Sequence, residues 1–121
     1  FTTVGAGAGC ELIKLERDGD KFKAESVYAN KNMANHHGDV VLVGEHVYGF
    51  SEGKGWICQE LKDGRIVWSE RQKLRAGACA YADDHLYCYG EDDGTAVLID
   101  ARWASTLWYQ SNGASLAPKN L

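Results

Sequence analysis

Apolar and polar residues alternate with a period of two through most of this chain. Val41-Leu42-Val43, Val47-Tyr48-Gly49-Phe50 and Leu86-Tyr87-Cys88-Tyr89 are short β-branched or aromatic runs bounded by Gly, Asp and Glu pairs, the pattern of strands between tight turns. No window longer than ten residues keeps a 3.6-residue apolar stripe. The best helical candidate, 70–76, is short and mostly polar. The only proline is Pro118, so turns inside the domain fall to Gly, Asp and Asn. The pattern predicts an all-β chain.

The strands also repeat. Val47–Gly55 aligns with Leu86–Gly94 at a spacing of 39 residues, placing His46 over His85, Tyr48 over Tyr87, Glu52 over Glu91 and Gly55 over Gly94. Trp56–Leu61 then lies over Thr95–Asp100. A weaker copy precedes them: Gly9–Leu15 is similar to Gly55–Leu61, and Asp18-Gly19 to Asp63-Gly64. Four strands in about 40 residues is the size of one propeller blade. The spacing predicts a partial β-propeller of about 2.5–3 four-stranded antiparallel blades, with units near 5–32, 36–75 and 76–101 and a divergent tail over 102–121. Closed propellers have about four to eight blades, and three leave open sheet edges. Either copies of the chain associate to close the ring, two giving about six blades, or the chain is part of a longer one; homo-oligomerisation is the expectation.

Composition narrows the function. One domain fits 121 residues, with 45% apolar and 25% charged positions typical of a globular protein. A net charge of −4 argues against binding a phosphate backbone. No apolar run approaches the roughly 18 residues of a membrane span. The chain opens at Phe1 with no signal peptide, as expected of a processed product or an excised piece.

The run Gln59-Glu60-Leu61-Lys62-Asp63-Gly64-Arg65-Ile66-Val67-Trp68 resembles the tryptophan-docking repeat of PQQ-binding-like β-propeller proteins. In that family a hairpin-turn Gly is followed four residues later by a Trp that packs between blades. Gly64 and Trp68 hold those places, and the resemblance covers roughly residues 5–100. It implies a bacterial periplasmic or secreted binding or assembly module whose partner is an unspecified protein or small molecule. No PQQ is expected, because the chain lacks adjacent cysteines and no cofactor residue of the quinoprotein dehydrogenases can be matched. The pattern departs from the family in two places. Lys23, beside Phe22, falls in the first unit's Trp slot. After Asp100, Gly64 falls over Trp103 and Trp68 over Leu107. Trp103, Trp108 and Tyr109 are therefore expected to cover an open blade edge or to contact a second copy, the plainer alternative being a sticky, partly disordered tail.

The most chemically suggestive run is Asn35-His36-His37-Gly38-Asp39. Two imidazoles and a carboxylate can ligate zinc or another divalent metal, the nucleus of a metal-dependent hydrolase. On a strand, adjacent histidines point to opposite faces, which leaves His37 and Asp39 as the compatible couple. The plainer alternative is a loop whose imidazoles bond backbone carbonyls. His46 and His85, one per repeat, suggest one structural role played twice. The acidic turns 51–55 and 90–94 match no dedicated calcium spacing. Gly5–Gly9 reads as a flexible lead into the first strand, since no helix signal follows it. The four cysteines, Cys10, Cys58, Cys79 and Cys88, show no Cys-x-x-Cys spacing. If Asp83-Asp84 is a two-residue hairpin loop, Cys79 faces Cys88 in a non-hydrogen-bonded pair. A cross-strand disulfide and four buried thiols both remain open.

Overall fold

The computed structural model describes residues 1–72, 74–92 and 94–101 and the backbone of 109–112. Among them, antiparallel strands form three sheets. The first holds β1 (Thr2–Val4), β2 (Gly9–Asp18) and β3 (Lys21–Asn30). The second holds β4 (Val40–Val43), β5 (His46–Ser51), β6 (Gly55–Glu60) and β7 (Ile66–Glu70). The third holds β8 (Gly77–Ala82), β9 (His85–Gly90), β10 (Thr95–Asp100) and β11 (Tyr109–Asn112). Strands pair in chain order, as consecutive hairpins do when no crossover helix is needed.

The sheets pack in chain order through two apolar layers. Cys10, Met33, Val47 and Ile57 fill the space between the first and second sheets. Tyr48, Trp56, Cys58 and Leu74 meet Leu86, Cys88, Val97 and Ile99 between the second and third. The second sheet is therefore covered on both faces. This is why Trp56, Ile57, Cys58 and Gln59 are all buried although neighbours on a strand face opposite ways. Each connector drops one apolar plug into these layers, Met33 from 31–39 and Leu74 from 71–76.

Register shows a deeper repeat than the residues do. Cys58 pairs with Trp68, Leu12 with Tyr28 and Leu98 with Tyr109, so an aromatic residue stands at one register position in all three sheets. A β-bulge follows that position in the first two sheets, between Leu12 and Ile13 and between Cys58 and Gln59. Backbone contacts repeat too. Glu52 N donates to Ala34 O and Glu91 N to Ala76 O, both at 2.9 Å. Leu61 N reaches Glu45 O at 2.8 Å, and Ala101 N reaches Asp84 O at 3.0 Å. A cation after the last strand caps the turn two strands back. Lys31 Nζ donates to Gly7 O and Ala8 O at 2.9 Å, and Arg71 donates to Gly53 O and Lys54 O.

Several expectations need correction. The 39-residue alignment fails past the acidic turn. Ser51 pairs with Gly55, whereas Ala96 pairs with Tyr89, so β10 is shifted by one residue and Trp56 corresponds to Ala96. Such a slip exchanges the two faces of a strand. In the first unit Tyr28, not Lys23, takes the place of Trp68. Leu12 and Tyr28 are sixteen residues apart while Cys58 and Trp68 are ten apart, so the β2–β3 hairpin is longer by three residues on each strand. Gly5–Gly9 is not a flexible lead: 5–8 is the turn between β1 and β2, closed by Ala8 N on Gly5 O at 3.2 Å. The described residues of 70–76 form no helix: Glu70 ends β7, and the connector that follows crosses to β8 and buries Leu74. The stretch expected to be foreign to the repeat supplies β11, which pairs with the otherwise open edge of β10. Trp103 and Trp108 lie outside the described residues.

Candidate functional site

The connector 31–39 carries the histidine pair, and its course is set by backbone geometry. Gly38 (φ 86) and Asp39 (φ 54) turn the chain into β4 through the left-handed region, where Gly and Asp are the tolerated residues. A Cβ at Gly38 would run into the Gly77 carbonyl oxygen, so the connector lies directly on the start of β8. Asn35 staples the loop: its side-chain amide donates to His37 O at 3.2 Å and to Phe50 O at 2.9 Å. Its backbone N–H donates to Thr3 Oγ1 at 3.1 Å.

Because this stretch is a loop and not a strand, the two histidines do not diverge. Their rings stack, with centroids 4.1 Å apart and planes 21° from parallel. The carboxylate that joins them is Glu52, from the turn between β5 and β6, whose Oε1 lies 3.3 Å from His36 Nδ1. Glu52 Oε2 also accepts the Ala6 N–H at 2.5 Å, so one side chain ties the turns of the first two sheets to the histidine loop. The expected His37–Asp39 couple is thus replaced by His36–Glu52. Glu52 is distant in sequence, and the alignment signals it only as the partner of Glu91. Among the described residues, no three His, Cys, Asp or Glu side chains gather into a metal-holding set.

His46 and His85 occupy equivalent starts of β5 and β9, yet their contacts differ. His46 Nε2 stands 4.0 Å from Glu60 Oε1, while His85 Nδ1 lies 2.5 Å from the Asp83 carbonyl of its own turn. Asp83 and Asp84 form the two-residue loop between Ala82 and His85, with φ of 50° and 58°, the mirror-image turn that matches strand twist.

Gly64 and Trp68 face different neighbours. The Gly64 turn (φ 73) lies against the first sheet, where a Cβ would strike Tyr28 and the Asn30 amide. Tyr28 Oη donates to Leu61 O at 2.8 Å, and Asn32 Nδ2 donates to Gly64 O at 2.8 Å. Trp68 packs against the layer shared with the third sheet, its ring centroid 6.1 Å from that of Tyr48. Trp56, which sequence reasoning did not single out, is the buried tryptophan of that layer. Its indole N–H donates to Arg75 O at 2.9 Å, and its ring meets Phe50 edge-on. The signal was present in the unbroken apolar run Trp56-Ile57-Cys58 that follows the Gly55 turn.

Cys79 and Cys88 pair directly across β8 and β9, and all four cysteines are free thiols. The Cys88 thiol hydrogen-bonds Cys79, which holds the Cys88 proton firmly and lowers the Cys79 pKa. Burial pushes the Cys58 thiol up to about 11 and raises the Tyr48 phenol. No helix of the described residues is long and apolar enough to cross a membrane. No protein-family model matches the chain, and no curated protein matches it.

Proposed function

We propose that this chain is a non-catalytic binding or assembly module built of β-propeller blades like those of PQQ-like repeat proteins, working in the bacterial periplasm or outside the cell. The observation that carries the reading is the second sheet, covered on both faces by sheets that repeat its register, the first repeating its bulge as well and the third its backbone contacts to turn and connector. The spacing between sheets supports a fan over a flat stack. Near the first strands, the Gly38 backbone touches that of Gly77 and leaves no room for a side chain. Farther out, β6 and β7 are held off the third sheet by Trp56 and Trp68. A gap that widens from first strand to last is the wedge that sets blades around an axis.

The residues left at the rim are contact-makers. Glu52, Lys31, Arg71 and Asn35 each spend their polar groups on backbone atoms of turns and connectors, which rigidifies the frame. Metal analysis of the purified protein after dialysis tests the reading. Metal-free protein, with His36→Ala unchanged in fold, is expected. Near-stoichiometric zinc or manganese lost in His36→Ala would overturn it in favour of a metal-dependent hydrolase at His36 and His37.

A further inference from the structure

Among the described residues, the two ends of the stack carry exposed faces of different kinds. On the third sheet, Tyr87 stands between Ala80 and Leu98, and Tyr89 between Ala78 and Ala96, all facing away from the second sheet. Tyr87 is 51% and Tyr89 56% exposed. At the other end, the lengthened β2–β3 hairpin is an arm in which every residue from 13 to 27 is exposed. Its two faces are sharply unequal. One pairs Lys14 with Glu25 and Glu16 with Lys23, opposite charges directly across the ladder. The other carries Ile13, Leu15, Ala24 and Phe22, with Arg17 directly across from Phe22; Leu15 is 66% and Phe22 73% exposed. A free two-stranded ribbon is marginal in water, and half of this one is built to be covered.

The chain itself shows what covers such faces. The face of the second sheet bearing Tyr48, Phe50, Trp56 and Cys58 is buried by the next sheet. Its register equivalents on the third sheet are Tyr87, Tyr89, Ala96 and Leu98. The opposite face of the second sheet, bearing Val47, Ile57 and Gln59, is buried by the preceding sheet; Ile57 and Gln59 correspond to Glu11 and Ile13 on the first sheet, and the lengthened hairpin extends that side with Leu15 and Phe22. Among the described residues, the third sheet's counterpart of the Tyr48 face and the side of the first sheet that corresponds to the Ile57 face are therefore both left uncovered, the two kinds of side that the sheets join twice internally. We infer that two copies of this chain dock head-to-tail, the Tyr87–Tyr89 face of each receiving the Leu15–Phe22 side of the other's first sheet. This rests on the propeller reading only for its closure at two copies, since the wedge is what turns six sheets back on themselves.

Light scattering during size-exclusion chromatography tests it with two variants, Tyr87→Asp/Tyr89→Asp and Leu15→Asp/Phe22→Asp, each checked for an unchanged circular dichroism spectrum. The wild type is expected to run as a dimer and each variant as a monomer. Mixing the two variants is expected to restore a dimer, because one intact pair of faces remains between them. A wild-type monomer at 100-fold dilution and at full strength alike overturns the inference and leaves the propeller reading standing. A Leu15→Asp/Phe22→Asp variant that stays dimeric overturns it in favour of like faces pairing. Open-ended ladders of wild-type chains overturn the closed pair, and it is then the propeller curvature that fails.

Discussion

Tyr48 in the second sheet and Tyr87 in the third hold the same repeat position at the same place on a strand, yet Tyr48 is 1% and Tyr87 51% exposed. The side chains do not differ; their surroundings do. A third sheet lies over Tyr48, raising its phenol pKa by desolvation, and no sheet among the described residues lies over Tyr87. Burial in a repeat array is a property of the neighbour and not of the residue.

Substitutions should expose that difference most strongly in the paired tyrosines. Tyr48→Ala is expected to cost about 3–5 kcal/mol of stability, because it empties a packed layer. Tyr87→Ala should cost under about 1 kcal/mol in dilute solution. Urea unfolding of both variants checks this, and equal costs would break the comparison. If a second copy covers Tyr87, its cost grows with protein concentration by mass action.

The hairpin turns give the next contrast. Gly64 and Gly19 both sit at positive φ, but a Cβ at Gly64 meets Tyr28 and Asn30, whereas one at Gly19 meets nothing. Gly19→Ala should carry only the backbone cost of about 1 kcal/mol. Gly64→Ala should cost about 2–3 kcal/mol, the excess measuring how firmly the second sheet's turn is seated on the first. Thermal unfolding of the two variants would resolve the difference.

The thiols separate the buried layer from its margin. The Cys58 pKa is raised in the folded protein, so between the ordinary thiol value near 9 and about 11 the unfolded chain binds fewer protons than the folded one. That stabilisation is complete below pH 9 and is lost as pH rises through 11. Urea midpoints measured across this window should fall more steeply for the wild type than for Cys58→Ala. At pH 8, alkylation followed by peptide mapping should modify the half-buried Cys79 first and the buried Cys58 and Cys88 last. The smallest effect is expected at the rim, where Arg71→Ala should remove about 0.5–1 kcal/mol by releasing the turn carbonyls of Gly53 and Lys54.

Much of this architecture was legible in order. Short β-branched and aromatic runs between Gly and Asp pairs marked β4, β5 and β9, the repeat placed a strand at β10, and the Asp83-Asp84 loop marked the facing of Cys79 and Cys88. What misled was counting. A longer turn after Gly90 and a longer β2–β3 hairpin each shifted the repeat, so Lys23 was read where Tyr28 belongs and Leu107 where the ladder places Tyr109. Insertions in turns are inexpensive, and residue spacing therefore drifts while register does not. The histidine pair was visible, but its carboxylate was not, since Glu52 arrives from another turn and only the fold brings it to His36.

By itself, the sequence determined what depends on a few adjacent residues: the period-two alternation, the tight turns and the recurrence of a four-strand unit. Tertiary structure decided which face of each strand is dry, which glycine is seated against a neighbour and which carboxylate meets which imidazole. Each of these depends on a surface supplied by a different sheet. Burial, close approach and ion pairing are distances between chain segments far apart in sequence, and local pattern constrains those distances only through the packing it permits.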